Sequence, residues 1–169
     1  MKRLIAAVLL LALPLTGCAG KKEEQTLTPE ARTLLYENAI TAARDAETNQ
    51  YQPILTSAED DDAELIFSLL GVSAEDMTAF ALSVSPMNVK AYAVAAVYPA
   101  AGKEDTVLEG LRAFQDNQKQ SFERYLPDQY EIANNARLET LEDGTVLLVM
   151  SEDQDPIFDA IRDAIEQRE

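Results

Sequence analysis

"ARLETLEDGTVLLVM", Ala136 to Met150, is the stretch whose reading decides the fold. Asp143-Gly144 is the strongest short hairpin signal in the chain, because both residues tolerate the backbone of a tight reversal. Ala136 to Leu141 and Thr145 to Met150 are the strands it joins. Apolar side chains fall on both faces of these strands. That pattern belongs to a sheet covered on more than one side.

Working outward, Asp153 or Asp155 is placed to cap a final helix, whose apolar stripe is Ile157, Phe158, Ile161 and Ile165. Upstream, Lys103 to Tyr125 is helical, with Val107, Leu111, Phe114, Phe122 and Tyr125 on one face and Pro127 marking the exit. Before that the period falls to two. Phe80, Leu82 and Val84 alternate with Ala81, Ser83 and Ser85, as in a half-buried strand. Ser85-Pro86-Met87-Asn88 reads as a turn, and Val89 to Tyr98 as the returning strand. Two helices precede this hairpin. Thr28 caps the first, with Pro29 at its first position, Ala31, Leu35, Ala39 and Ala46 at helical spacing, and an end within Asn49 to Pro53. Ser57 would cap the second, which Gly71 stops. The order is α-α-β-β-α-β-β-α: an α+β domain over residues 28–169 with a four-stranded, mainly antiparallel sheet. Strand order stays open.

The amino terminus has a different character. Lys2 and Arg3 precede an unbroken apolar run from Leu4 to Leu13, which Pro14 ends. This is a secretory signal, and it falls short of the roughly twenty residues that span a bilayer. Leu15-Thr16-Gly17-Cys18 resembles the bacterial lipobox, in which the thiol receives a diacylglyceryl group and the signal is cut between residues equivalent to Gly17 and Cys18. Residues 1–17 are thus expected to be a lipoprotein signal peptide. Cys18 is the chain's one cysteine and cannot form an internal disulfide. Two acyl chains there would supply the double anchor that stable membrane attachment needs. Residues 18–27 form a polar tether, with a reach under roughly 20 Å if flexible.

Composition narrows the chemistry. Removing Lys2 and Arg3 takes the formal charge from −16 to about −18, which opposes nucleic acid and anionic headgroups and favours a basic macromolecular partner. With no histidine and an acylated cysteine, Ser-His-Asp and Cys-His chemistry and zinc sites are excluded. No Walker loop or GxGxxG occurs. No cofactor and no metal is expected.

"VSPMNVKAYAVAAVYP" (Val84–Pro99), "FQDNQKQSFERYLPDQYEIANNA" (Phe114–Ala136) and "DGTVLLVM" (Asp143–Met150), behind a lipobox and acidic tether, resemble a family of small lipoproteins from Gram-positive gut bacteria that carries a domain-of-unknown-function label. The likeness covers Thr28 to Arg168. It implies location on the outer face of the cell membrane and the architecture above, and it brings no activity. Members often carry an acid soon after the first hairpin turn, where this chain has Val89-Lys90.

Three stretches remain as candidate sites. Glu59-Asp60-Asp61-Asp62 with Glu64 lacks the alternation and sixth-position glycine of a calcium loop, and suits a helix N-terminus. "YLPDQYE", Tyr125 to Glu131, gathers tyrosines and acids around a proline turn that could cradle a sugar or basic peptide, although Tyr125 is expected to close the helix's apolar face. Lys90 is expected on a solvated strand position. No catalytic residue is assigned. The leading reading is a lipid-anchored extracytoplasmic binding or accessory module of the cell envelope, with the membrane and an envelope protein or small ligand as partners. Such a protein should expose a contiguous apolar patch. The alternatives are a carboxylate-dependent enzyme acting on cell-wall glycan or peptide, with two carboxyls about 5–9.5 Å apart and one pKa raised, and a purely structural envelope lipoprotein.

Overall fold

The computed structural model describes residues 27–167. The expected signal peptide, the lipobox-like Leu15-Thr16-Gly17-Cys18 and the expected tether as far as Thr26 lie outside the described residues. Six α-helices and four strands follow one another as α1 (Pro29–Ala43), α2 (Ala46–Tyr51), α3 (Ala63–Leu70), β1 (Met77–Val84), β2 (Ala93–Pro99), α4 (Glu104–Phe122), α5 (Pro127–Asn134), β3 (Arg137–Thr140), β4 (Val146–Met150) and α6 (Gln154–Glu166). The sheet order is β1-β2-β4-β3, with every neighbouring pair antiparallel. This is the expected α+β fold.

Helices cover both faces. Phe80, Leu82, Val84, Ala95, Val97, Leu148 and Met150 point into one core, beneath Leu70, Leu111, Phe114 and Phe122 of α3 and α4. Ala79, Ala81, Val94, Ala96, Leu147 and Val149 point into a second, against Leu35, Tyr36 and Ile40 of α1 and Phe158, Ile161 and Ile165 of α6. The period-two reading of β1 therefore finds the right faces but the wrong exposure. Ala81 and Ser83 are fully buried, and their small side chains leave room for α1 to lie close above them.

Element boundaries shift for local reasons. The first helix stops at Ala43, because Arg44 is extended and Asp45 caps a new helix, its Oδ1 accepting from the Thr48 N–H at 2.7 Å. Pro127 opens α5 instead of only ending α4, a position where its missing N–H costs nothing. The second hairpin is also wider than a two-residue loop. Leu141 N–H donates to the Thr145 carbonyl at 2.8 Å, so Glu142, Asp143 and Gly144 all lie in the turn. Gly144 alone takes a positive φ, +88°, whereas a two-residue type I′ turn needs one at Asp143 too.

The 3₁₀ turn Ala74–Asp76 delivers the chain into β1. The Asp76 carboxylate accepts from Ser73 Oγ at 2.6 Å, Ser73 N–H at 2.9 Å and Lys103 Nζ at 2.7 Å. These bonds, the Lys103 one foremost, hold its pKa down from 3.8 to about 2. On the other side of α3, Gly71 meets Gly110 of α4 backbone to backbone. A Cβ at Gly110 would lie 2.7 Å from the carbonyl oxygens of both Leu70 and Gly71.

Two outcomes follow from these contacts. Gly110→Ala should lower unfolding free energy in urea by about 1–3 kcal/mol, since backbone and not a flexible side chain must yield. Asp76 is more acidic folded than unfolded, so its contribution is complete above pH 3.8 and is lost as pH falls through about 2. An acid titration of Asp76→Asn should show a shallower loss of stability across that window than the parent chain.

Candidate functional site

An opening lies along the free edge of β1. Leu55 forms a single antiparallel bridge to Leu82, N–H to carbonyl at 2.7 and 2.9 Å in the two directions. A longer ladder would continue at Pro53 and Ser57. Pro53 has no N–H to give. The Thr56 and Ser57 N–H groups instead donate to Asp60 Oδ2, at 3.3 and 3.2 Å. The segment therefore crosses the edge once and leaves, and a groove of about 460 Å³ opens beside it. That volume falls within the usual range of ligand sites.

Leu55, Ile66, Leu82 and Val84 form the floor. One wall carries Tyr51 and Leu65, the other Pro86 and Met87 from the β1–β2 turn. Tyr51, Leu65 and Met87 are 67, 50 and 55 % exposed. Three large apolar side chains thus converge on one opening and stay in water. Asp60, Asp61 and Asp62 stand on the rim, and no basic residue lines the groove.

Arg44 holds the wall in place. Its Nη1 donates to Ser83 Oγ and to Tyr92 OH, each at 2.8 Å, while Nε and Nη2 donate to Asn49 Oδ1 at 3.0 and 2.7 Å. Asn49 Nδ2 in turn donates to the Thr41 carbonyl at 2.9 Å. One buried guanidinium thus ties α2, which carries Tyr51, to β1 and β2. Its partners are all neutral, and its seat at the end of α1 is where helix carbonyls favour a cation. At the opposite end of α1, Arg32 pairs with Asp143 and lies 3.8 Å from the Tyr98 ring centroid. Beside it Tyr36 OH shares a 2.5 Å bond with Thr145 Oγ1, and burial pushes the Tyr36 phenol up to about 12.

The candidate stretches read from the sequence fare unevenly. Asp60–Asp62 come to the groove. Asp62 rather than Ser57 precedes α3, and Asp60 serves the turn described above. Among the described residues no three carboxylates are grouped to hold a metal ion. Tyr125 is 82 % exposed and does not close the apolar face of α4; Phe122 does, because α4 ends at that residue and Tyr125 lies beyond the helix. Lys90 sits in the turn ahead of β2, not on a strand, with Nζ 5.6 Å from the Tyr92 ring. Each carboxylate with a displaced pKa is held low: Asp45 by the Thr48 N–H, Asp76 by Lys103, Asp159 by Arg137. A general acid needs the opposite direction. Sequence reading missed Arg44, Tyr51, Leu65 and Met87. The available signal was Pro53 beside an apolar pair, which no periodicity explains.

The groove floor, the sheet and α3 to α5 coincide with one matched segment, residues 54–151. The chain belongs to the family described as domain of unknown function DUF4358. No curated protein and no solved structure matches it. The DUF4358 segment leaves out α1, α2 and α6, so the layer that buries the second face and Tyr51 of the groove lie beyond it, whereas Leu65 and Met87 lie within it.

Arg44→Met should lower stability by about 1.5–3 kcal/mol, because Asn49, Ser83 and Tyr92 lose a charged donor in a buried site. Urea unfolding checks the magnitude. The tyrosine resonances of Tyr51 should move with it, and Arg44→Lys, lacking the planar fork, should recover only part of the loss.

Proposed function

We propose that this DUF4358 protein is a lipid-anchored binding or accessory module on the outer face of a bacterial, Gram-positive cell membrane, held by a diacylglyceryl group on Cys18 and engaging an envelope partner through the β1-edge groove. The observation that carries the reading is the groove's position. α1 and β1 run side by side in the same direction. Pro29 and Glu30 lie beside the start of β1, whereas Arg44 reaches Ser83 near its end. Fifteen residues of α1 separate the two ends, about 22 Å at 1.5 Å per residue. An anchor ten residues ahead of Thr28 would then place the groove at the end of the domain turned from the bilayer. The exposed Tyr51, Leu65 and Met87 are the patch such a module needs, and the lowered carboxylates favour binding over acid catalysis.

Mass spectrometry of the mature chain should find an acylated Cys18 at its amino terminus, and Cys18→Ser should leave the membrane fraction or accumulate with its signal uncut. An unmodified terminus removes the anchor. A photo-crosslinking residue at position 87 should give one discrete adduct in intact cells, and the same probe at the exposed position 125 should not. Equal, diffuse labelling from both positions would sink the groove as the binding surface.

A further inference from the structure

The rim chemistry carries the reading one step further, and the step rests on the groove being a binding surface. We infer that the occupant is a polypeptide segment presenting apolar side chains flanked by lysine or arginine. The floor and walls are aliphatic and aromatic, with Met87 supplying an unbranched, adaptable contact. Above them Asp60, Asp61 and Asp62 form a single-sign rim, with no lysine or arginine on the lining to neutralise it. Asp60 is occupied by two backbone donors, and its carboxylate is part of the loop. Asp61 and Asp62 accept no hydrogen bond that the loop requires, and both are exposed. Their charge is free to meet a partner.

The same arrangement disfavours other occupants. An acidic segment would bring like charge against the rim, in a chain whose formal charge is already −16. A free polyamine would satisfy the acids and leave Leu65 and Met87 in water. An uncharged apolar segment would fill the floor but leave the rim unused. A cationic amphipathic segment satisfies both surfaces, with apolar contact providing most of the affinity and the acids orienting it and accelerating its arrival.

The test uses the full chain in nanodiscs of neutral phosphatidylcholine, with methyl-labelled leucine and methionine. The probe is a short synthetic peptide of leucines flanked by lysines, beside counterparts with glutamate for lysine and serine for leucine. The first peptide should bind and shift the methyl resonances of Leu55, Leu65 and Met87. Both counterparts should fail. Asp61→Asn with Asp62→Asn should weaken binding about fivefold, the size expected for two exposed pairs, and should flatten its salt dependence. Leu65→Ser and Met87→Ser, both at exposed positions, should weaken it without changing the unfolding midpoint.

Equal binding by either counterpart overturns the inference, as does displacement by spermidine, shifts confined to methyls outside the groove, or no binding at all. If any of these occurs while position 87 still gives its discrete adduct in cells, the groove binds a different chemistry and only this inference falls. Loss of that adduct as well removes both readings.

Discussion

β2 and β4 lie side by side at the centre of the sheet, and from Ala93 to Val97 and Val146 to Met150 every side chain is buried. A strand pair with no wet face cannot be stable until both sides are covered. The rest of the fold answers that requirement. α3, α4 and α5 close one side and α1 and α6 the other. Residue size sets the spacing of the layers. β2 brings Ala93, Ala95 and Ala96, whereas β4 brings Leu147, Leu148, Val149 and Met150, so large side chains on one strand fill space that small ones on its neighbour leave open.

Apolar burial holds the layers together but is non-directional, and does not choose where along the sheet a helix should rest. Directional contacts do that for α1. Arg32 meets Asp143 and Tyr98 at one end, and Arg44 meets Ser83 and Tyr92 at the other. Sliding α1 by one turn would strand two guanidinium groups and a buried tyrosine hydroxyl at once. On the opposite layer the Gly71–Gly110 contact does the equivalent job by shape, since only glycine permits that approach. A similar device spans β3 and α6, where Arg137 stacks 3.8 Å from the Phe158 ring centroid and reaches Asp159 at 2.9 Å.

The groove is a by-product of the same economy at the sheet's edge. An uncovered β1 would invite pairing with another chain. Pro53 to Ser57 covers it with one bridge and no more, because proline and an Asp-held turn withhold the donors a second bridge needs. Beside that single bridge stand the exposed side chains of Tyr51, Leu65 and Met87. The chain has no histidine, and each carboxylate with a displaced pKa is held in its charged form.

The sequence by itself determined the order of helices and strands, the antiparallel hairpins and the two-sided burial of β4, because these follow from local turn chemistry and from apolar patterns along one strand. β3, read as covered in the same way, is half-buried to exposed as an edge strand, and α2 and α5 were not separated from their neighbours. It did not determine the order β1-β2-β4-β3, or the fate of the Ala81 face, since both depend on which distant helix arrives above the strand. Nor could it assemble the groove. Tyr51 ends α2, Leu65 lies on α3 and Met87 in the β1–β2 turn, so no local pattern joins them. Only the tertiary structure decides that these three stay in water while Phe67, Leu70 and Leu82 are buried, because it sets which side of each element meets another layer.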